Sequence, residues 1–216
     1  MRHVQTAILA VLGTMLLTAA VSAQDGPIDT LPMYGGKHKP TVPENKEASR
    51  TAAELGWEFY RKGDLDTAMK RFNQAWMFNR RNAEAYWGFG LIMARRADET
   101  RPEHHLKESI RLLETAVARA RKNARVLTDL ALSHIHLGRY YARQSNPKSK
   151  KQFAKAASVL KKAERLDPKY PLLHFNRSLL EFYQGNYAQA KTHLDRAKAL
   201  GYKPDPAYES DLGAKL

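Results

Sequence analysis

Between Glu54 and Arg80 the chain reads ELGWEFYRKGDLDTAMKRFNQAWMFNR, with apolar positions recurring every three or four residues. That is the period of one helix face, not the alternation of a strand. Leu55 and Phe59 carry an apolar stripe towards Gly63, and glycine tolerates the left-handed backbone that ends a helix. Asp64 is placed to cap a second helix, on which Ala68, Phe72 and Ala75 share one face. Small residues at Gly56, Ala68 and Ala75 allow close approach, and Phe59 and Phe72 fill the space between the helices. The stretch predicts two amphipathic helices joined by a tight turn.

The pattern then repeats. Gly56 recurs as Gly90, 34 residues on, and Ala156, Leu160 and Ala163 recur as Ala190, Leu194 and Ala197, again 34 on. Ala75 finds its counterparts at Ala116 and Ala163, after 41 and 47 residues, so the second and third units carry insertions. One lies between Ala94 and Leu106, where Pro102 interrupts any continuous helix. The other, Tyr140–Gln152, predicts a lengthened first helix and a loop at Ser145-Asn146-Pro147.

A 34-residue helix pair with small and large residues at these positions resembles the tetratricopeptide repeat family. The resemblance rests on Leu55-Gly56, Phe59, Ala68, Phe72 and Ala75 in the first unit. In the second it rests on Tyr86, Phe89-Gly90, Met93, Ser109, Leu113 and Ala116. The third shows Leu127, Leu130-Ala131, His134, a turn at Gly138, then Ala156, Leu160, Ala163 and Pro168; the fourth shows Ser178, Gly185, Tyr187, Ala190, Leu194 and Ala197. Ala52 stands where a large aromatic is usual and Arg80 where proline is usual. Arg177 and Glu181 replace apolar residues in the fourth unit and are spaced to pair along one helix. The resemblance implies an all-α fold, a right-handed superhelix of antiparallel helix pairs in about four units.

The chain divides accordingly. Residues 1–23 read as a signal peptide: Met1-Arg2-His3, an uncharged run, and a small-x-small exit at Val21-Ser22-Ala23. An uncleaved anchor is the alternative, since Val4–Ala23 is just long enough to span a bilayer. Either way the repeats are expected outside the cytoplasm, periplasmic or secreted. Residues 24–48 hold four prolines and the pair Gly35-Gly36 and predict a flexible segment. Ile28, Leu31, Met33 and Tyr34 leave room for a docking strap instead. The repeat array covers 49–203, in units 49–82, 83–123, 124–170 and 171–203, and 204–216 is a terminal cap.

The resemblance further implies that the first helices line a concave groove. By register its partner-binding residues are Trp57, Tyr60, Arg61, Trp87, Leu91, Arg95, Arg125, His136, Phe175, Asn176 and Phe182. Arg50, Ala53, Glu84, Thr128, Leu132, Leu172 and Leu179 also fall on this side. Trp57, Tyr60, Trp87 and Arg95 form the expected centre, because Trp, Tyr and Arg dominate binding hot spots. Leu172, Phe175, Leu179 and Phe182 make a stripe too apolar for water, to be covered by a partner or by the chain's own tail or N-terminal strap. Only Arg125 and Asn176 resemble parts of the Lys/Asn/Arg clamp that some relatives use for carboxylates, so that function is not carried over.

Charge adds a second candidate surface. The chain has a net charge of +14, and nine Lys/Arg against one acid fall between Gly138 and Arg165. Arg139, Arg143, Lys148, Lys150, Lys151 and Lys155 are the expected contacts for an anionic envelope polymer or membrane surface. Export argues against nucleic acid as a partner.

Candidate chemistry is sparse. His134 and His136 point apart on a helix, and adjacent His104-His105 rarely converge on one metal. No catalytic triad or phosphate loop can be read, and with no cysteine there is neither a disulfide nor a lipid anchor. The expected protein is a non-catalytic scaffold of the cell envelope without cofactor or metal, binding a peptide or partner helix in its groove. The alternative is a binder of anionic polymer or membrane through residues 138–165.

Overall fold

The computed structural model describes residues 27–36, 41–98, 101–120 and 122–216. The predicted signal peptide, residues 1–23, lies outside them. Four helix pairs follow one another: α1 (Lys46–Lys62) with α2 (Leu65–Phe78), and α3 (Ala83–Arg96) with α4 (Pro102–Ala120). Then come α5 (Ala124–Arg143) with α6 (Lys148–Leu166), and α7 (Pro171–Gln184) with α8 (Tyr187–Ala199). A short α9 (Pro206–Gly213) closes the chain, and no strand occurs among the described residues. No helix among them is long and apolar enough to cross a membrane.

Local chemistry sets the boundaries. Asn45, Asn82 and Asn123 precede the first helix of the first three units, and each side chain accepts from backbone N–H groups of the opening turn. Asp64 does the same for α2, accepting from the Thr67 N–H. Such caps satisfy donors that have no partner within the helix. Gly63 and Gly185 end α1 and α7 at φ 83°, the left-handed conformation that costs glycine least.

Packing within each of the first three pairs places a bulky side chain of the second helix on a glycine of the first. The fully buried Phe72 lies between Gly56 and Gly88, and a Cβ at Gly56 would stand 2.7 Å from its ring. Leu113 lies on Gly90 in the same way, and Phe153 on Gly138. Gly138 is thus an interior helix position of α5, not a turn; the turn falls after Arg143.

Two further departures from expectation, at the N-terminal segment and at Arg177, come from contacts between separate elements. Residues 27–36 are not a flexible segment: they form 3-10 turns at Ile28–Thr30 and Pro32–Gly36, docked on α2. The buried Asn73 donates to the carbonyls of Asp29 and Leu31, both at 2.9 Å, and Arg96 to that of Thr30 at 2.7 Å. Leu55 stays exposed, leaving Gly56 and Ala52 to face the core. Arg177 pairs with Glu164 of α6 at 2.6 Å, not with Glu181, whose carboxylate takes Asn186.

Candidate functional site

The first helices α3, α5 and α7 line a groove of about 720 Å³, to which Tyr60 of α1 and Leu106 of α4 also contribute. Its wall is one stripe of α5: Asp129, Leu132, His136, Arg139 and Arg143. They are spaced three or four apart, so a straight helix turns them all the same way. Across from them stand Leu91 and Arg95 of α3, and Tyr170 with Leu172 at the start of α7.

The electrostatics are uneven. Arg95 and Arg143 make no ion pair with any described residue. Arg139 is anchored, donating to the Tyr183 hydroxyl at 3.0 Å with its guanidinium over that ring. Asp129 accepts from the Trp87 indole N–H at 2.7 Å. Burial nevertheless pushes its carboxyl up to about 6, because one hydrogen bond does not replace lost water. His136 moves down, first through burial and then through the charge of Arg139, so it is neutral at pH 7. At that pH the groove holds the cations Arg95, Arg139 and Arg143 against Asp98 and Asp129.

Of the residues expected on this surface, Tyr60, Leu91, Arg95, His136, Leu132 and Leu172 come together here. Arg139 and Arg143 join them, although the sequence grouped them with the lysines. Lys148, Lys150, Lys151 and Lys155 belong to α6 and line no part of the groove. The patch 138–165 is therefore two surfaces.

The two tryptophans make packing contacts and line no part of this groove. Their rings meet edge to face at 4.9 Å, Trp57 also meets Phe72 at 5.0 Å, and both are partly buried against the main core. Trp57 donates to Glu84 at 2.7 Å, so each indole ties its unit to the next. Asn176 is likewise no contact residue: it is fully buried and donates to the Thr128 carbonyl at 3.1 Å, joining α7 to α5. Thr128 and Ala53 are buried as well. Phe175 and Phe182 are covered by the chain itself. Tyr202 stacks on Phe175 at 4.4 Å, and Tyr208 of α9 meets both phenylalanines while its hydroxyl reaches Ser178 at 2.7 Å. Arg61 is exposed outside the groove, and Arg125 lies over the Tyr170 ring at 5.8 Å.

Asp129, Tyr140 and Tyr170 were missed. Asp129 had a signal: it is the sole acid of α5, and an isolated carboxylate in an apolar helix seeks a partner. No group of three or more metal-ligating side chains occurs among the described residues.

Comparison with known proteins agrees with the geometry. No family model matches the chain. It is 28% identical over 157 residues to Tetratricopeptide repeat protein 5 of Bos taurus, which accounts for 72% of this chain. The chain spans only about a third of that relative's length, 34%. A thermophilic tetratricopeptide-repeat protein of Thermus thermophilus superposes with a TM-score of 0.62 at 26% identity, over 71% of this chain and 75% of that one. The MamA RS-1 ArsTM double mutant shares the fold, with a TM-score of 0.51 at 19% identity over 72% and 76% of the two chains. Helix pairs of this length, with glycines under bulky second-helix residues and a groove on the first helices, give the chain the tetratricopeptide-repeat fold, and its sequence is similar to that of tetratricopeptide-repeat proteins.

Proposed function

We propose that this chain is a protein-interaction scaffold that holds a segment of its partner in the groove of α3, α5 and α7, and that it works in the cell envelope. Solenoid proteins use such concave surfaces for partners. The observation that carries the reading is the α5 stripe, where the apolar Leu132 is followed by His136, Arg139 and Arg143, with the unpaired Arg95 opposite. Leu91, Leu132 and Leu172 provide apolar contact, and the arginines select a segment bearing an acidic side chain. The reading is of a binder and not a catalyst. Asp129 is engaged by Trp87, and Ser133 pairs with Ser109 at 2.9 Å. Placement in the envelope is supported by Met1-Arg2-His3, the uncharged run after it and Val21-Ser22-Ala23.

Capture from an envelope extract tests this. Leu132→Arg and Arg95→Glu are each expected to abolish recovery of the partner with the helical signal unchanged. Undiminished capture by both folded variants would place the binding surface elsewhere.

A further inference from the structure

The outer face of α6 is unlike that of any other second helix. Phe153, Ala156, Leu160 and Ala163 are its buried side. On the opposite side stand Lys150, Lys151, Lys155, Lys161, Lys162 and Arg165, all exposed, with the small Ala154 and Ser158 among them and the exposed Leu166 at the C-terminal edge. None of these six cations has an ion-pair partner among the described residues, and the helix's one acid, Glu164, is taken by Arg177. On each of the other second helices at least one lysine has a carboxylate partner. Lys70 of α2 meets Asp29; Lys107 and Arg111 of α4 meet Glu103 and Glu108; Lys191 and Lys198 of α8 meet Asp195 and Glu209. The result is a rigid, cationic stripe of roughly 23 Å at 1.5 Å per residue.

We propose that this face docks the protein on an anionic lipid surface, independently of the groove. The composition chooses among anionic partners. Protein interfaces are anchored by aromatic, Met and Arg side chains and are depleted in lysine, the reverse of this stripe. Nucleic acid is read by forked or amide side chains and by aromatic stacking, and no aromatic, Asn or Gln lies on this face. A leaflet of anionic headgroups asks only for several mobile point charges on a flat side, and lysines among alanine and serine supply them.

The test is sedimentation of the full chain with phosphatidylcholine vesicles, plain or containing phosphatidylglycerol at roughly one lipid in three. Binding is expected to increase with phosphatidylglycerol above the level that the apolar run of residues 4–23 gives with phosphatidylcholine alone, and this increment weakens steeply as salt rises from ~0.05 to ~0.5 M. Lys151→Gln, Lys155→Gln and Lys162→Gln combined should lower the partition coefficient on the order of a hundredfold. The control combines Lys70→Gln, Lys107→Gln and Lys191→Gln, which removes the same charge from lysines that already have carboxylate partners, and should bind nearly as the parent does. Absence of phosphatidylglycerol dependence at low salt overturns the proposal. So does equal loss in both triple variants, which would mean net charge alone, or tighter capture of a DNA duplex than of vesicles at the same salt.

Discussion

Asp129 offers a sharp test of the groove's electrostatics. Its carboxyl titrates near 6 in the folded chain against an ordinary 3.8, so the native state holds the ionised form at a disadvantage. A carboxyl raised on folding favours the folded state at low pH, and that advantage is lost as pH rises from about 4 to about 6. At 1.36 kcal/mol per tenfold change, the displacement is worth roughly 3 kcal/mol at most. Asp129→Asn removes the charge while keeping an oxygen to accept from Trp87. The variant should match the parent near pH 4 and exceed it by about 2–3 kcal/mol at pH 7.5. Urea unfolding of both proteins at the two pH values reads this directly. Glu58, Asp64 and Glu103, whose pKa values are lowered, work in the opposite direction but are common to both proteins and cancel in the comparison. A variant less stable than the parent by the same amount at both pH values would refute the reasoning, because Asp129 would then act through geometry and not through its buried charge.

Other outcomes follow from the packing. Trp57→Ala and Trp87→Ala should each lower stability by about 3 kcal/mol, seen as a fall in Tm, since each removes a ring from an aromatic cluster and leaves a carboxylate without its donor. Gly88→Ala should destabilise by about 1–3 kcal/mol despite the better helix propensity of alanine, because the Phe72 ring is held from the other side by Gly56. Gly213→Ala, where a Cβ meets nothing, is the control expected to be neutral. Tyr208→Ala should uncover Phe175 and Phe182, raising the fluorescence of a hydrophobic dye and costing about 2–4 kcal/mol.

The helix pairs were legible because their determinants are local. The 34-residue recurrence marked the units, and the cap at Asp64 and the glycine end of α1 act within a few residues. Register also found Tyr60, Leu91, Arg95 and His136, which keep their place on straight helices. The tryptophans were misplaced because their partners are 27 and 42 residues away, separations that no repeat period specifies. The strap was misread for the same reason: prolines and glycines announce irregular backbone, and its ties come from far along the chain, from Asn73, 42 and 44 residues distant, and Arg96, 66 residues distant. Arg139 and Arg143 were counted along the chain with the lysines, when counting around the helix from Leu132 and His136 puts them in the groove.

The central claim is that the α3–α5–α7 groove holds the partner, and a photo-crosslinking side chain at Leu132 tests it most directly. Irradiation of the protein in an envelope extract should join a discrete partner at this position, with Arg95→Glu abolishing the adduct. The same group at Ala154, on the outside of α6, should give no protein adduct. An adduct from Ala154 with none from Leu132 would contradict the account.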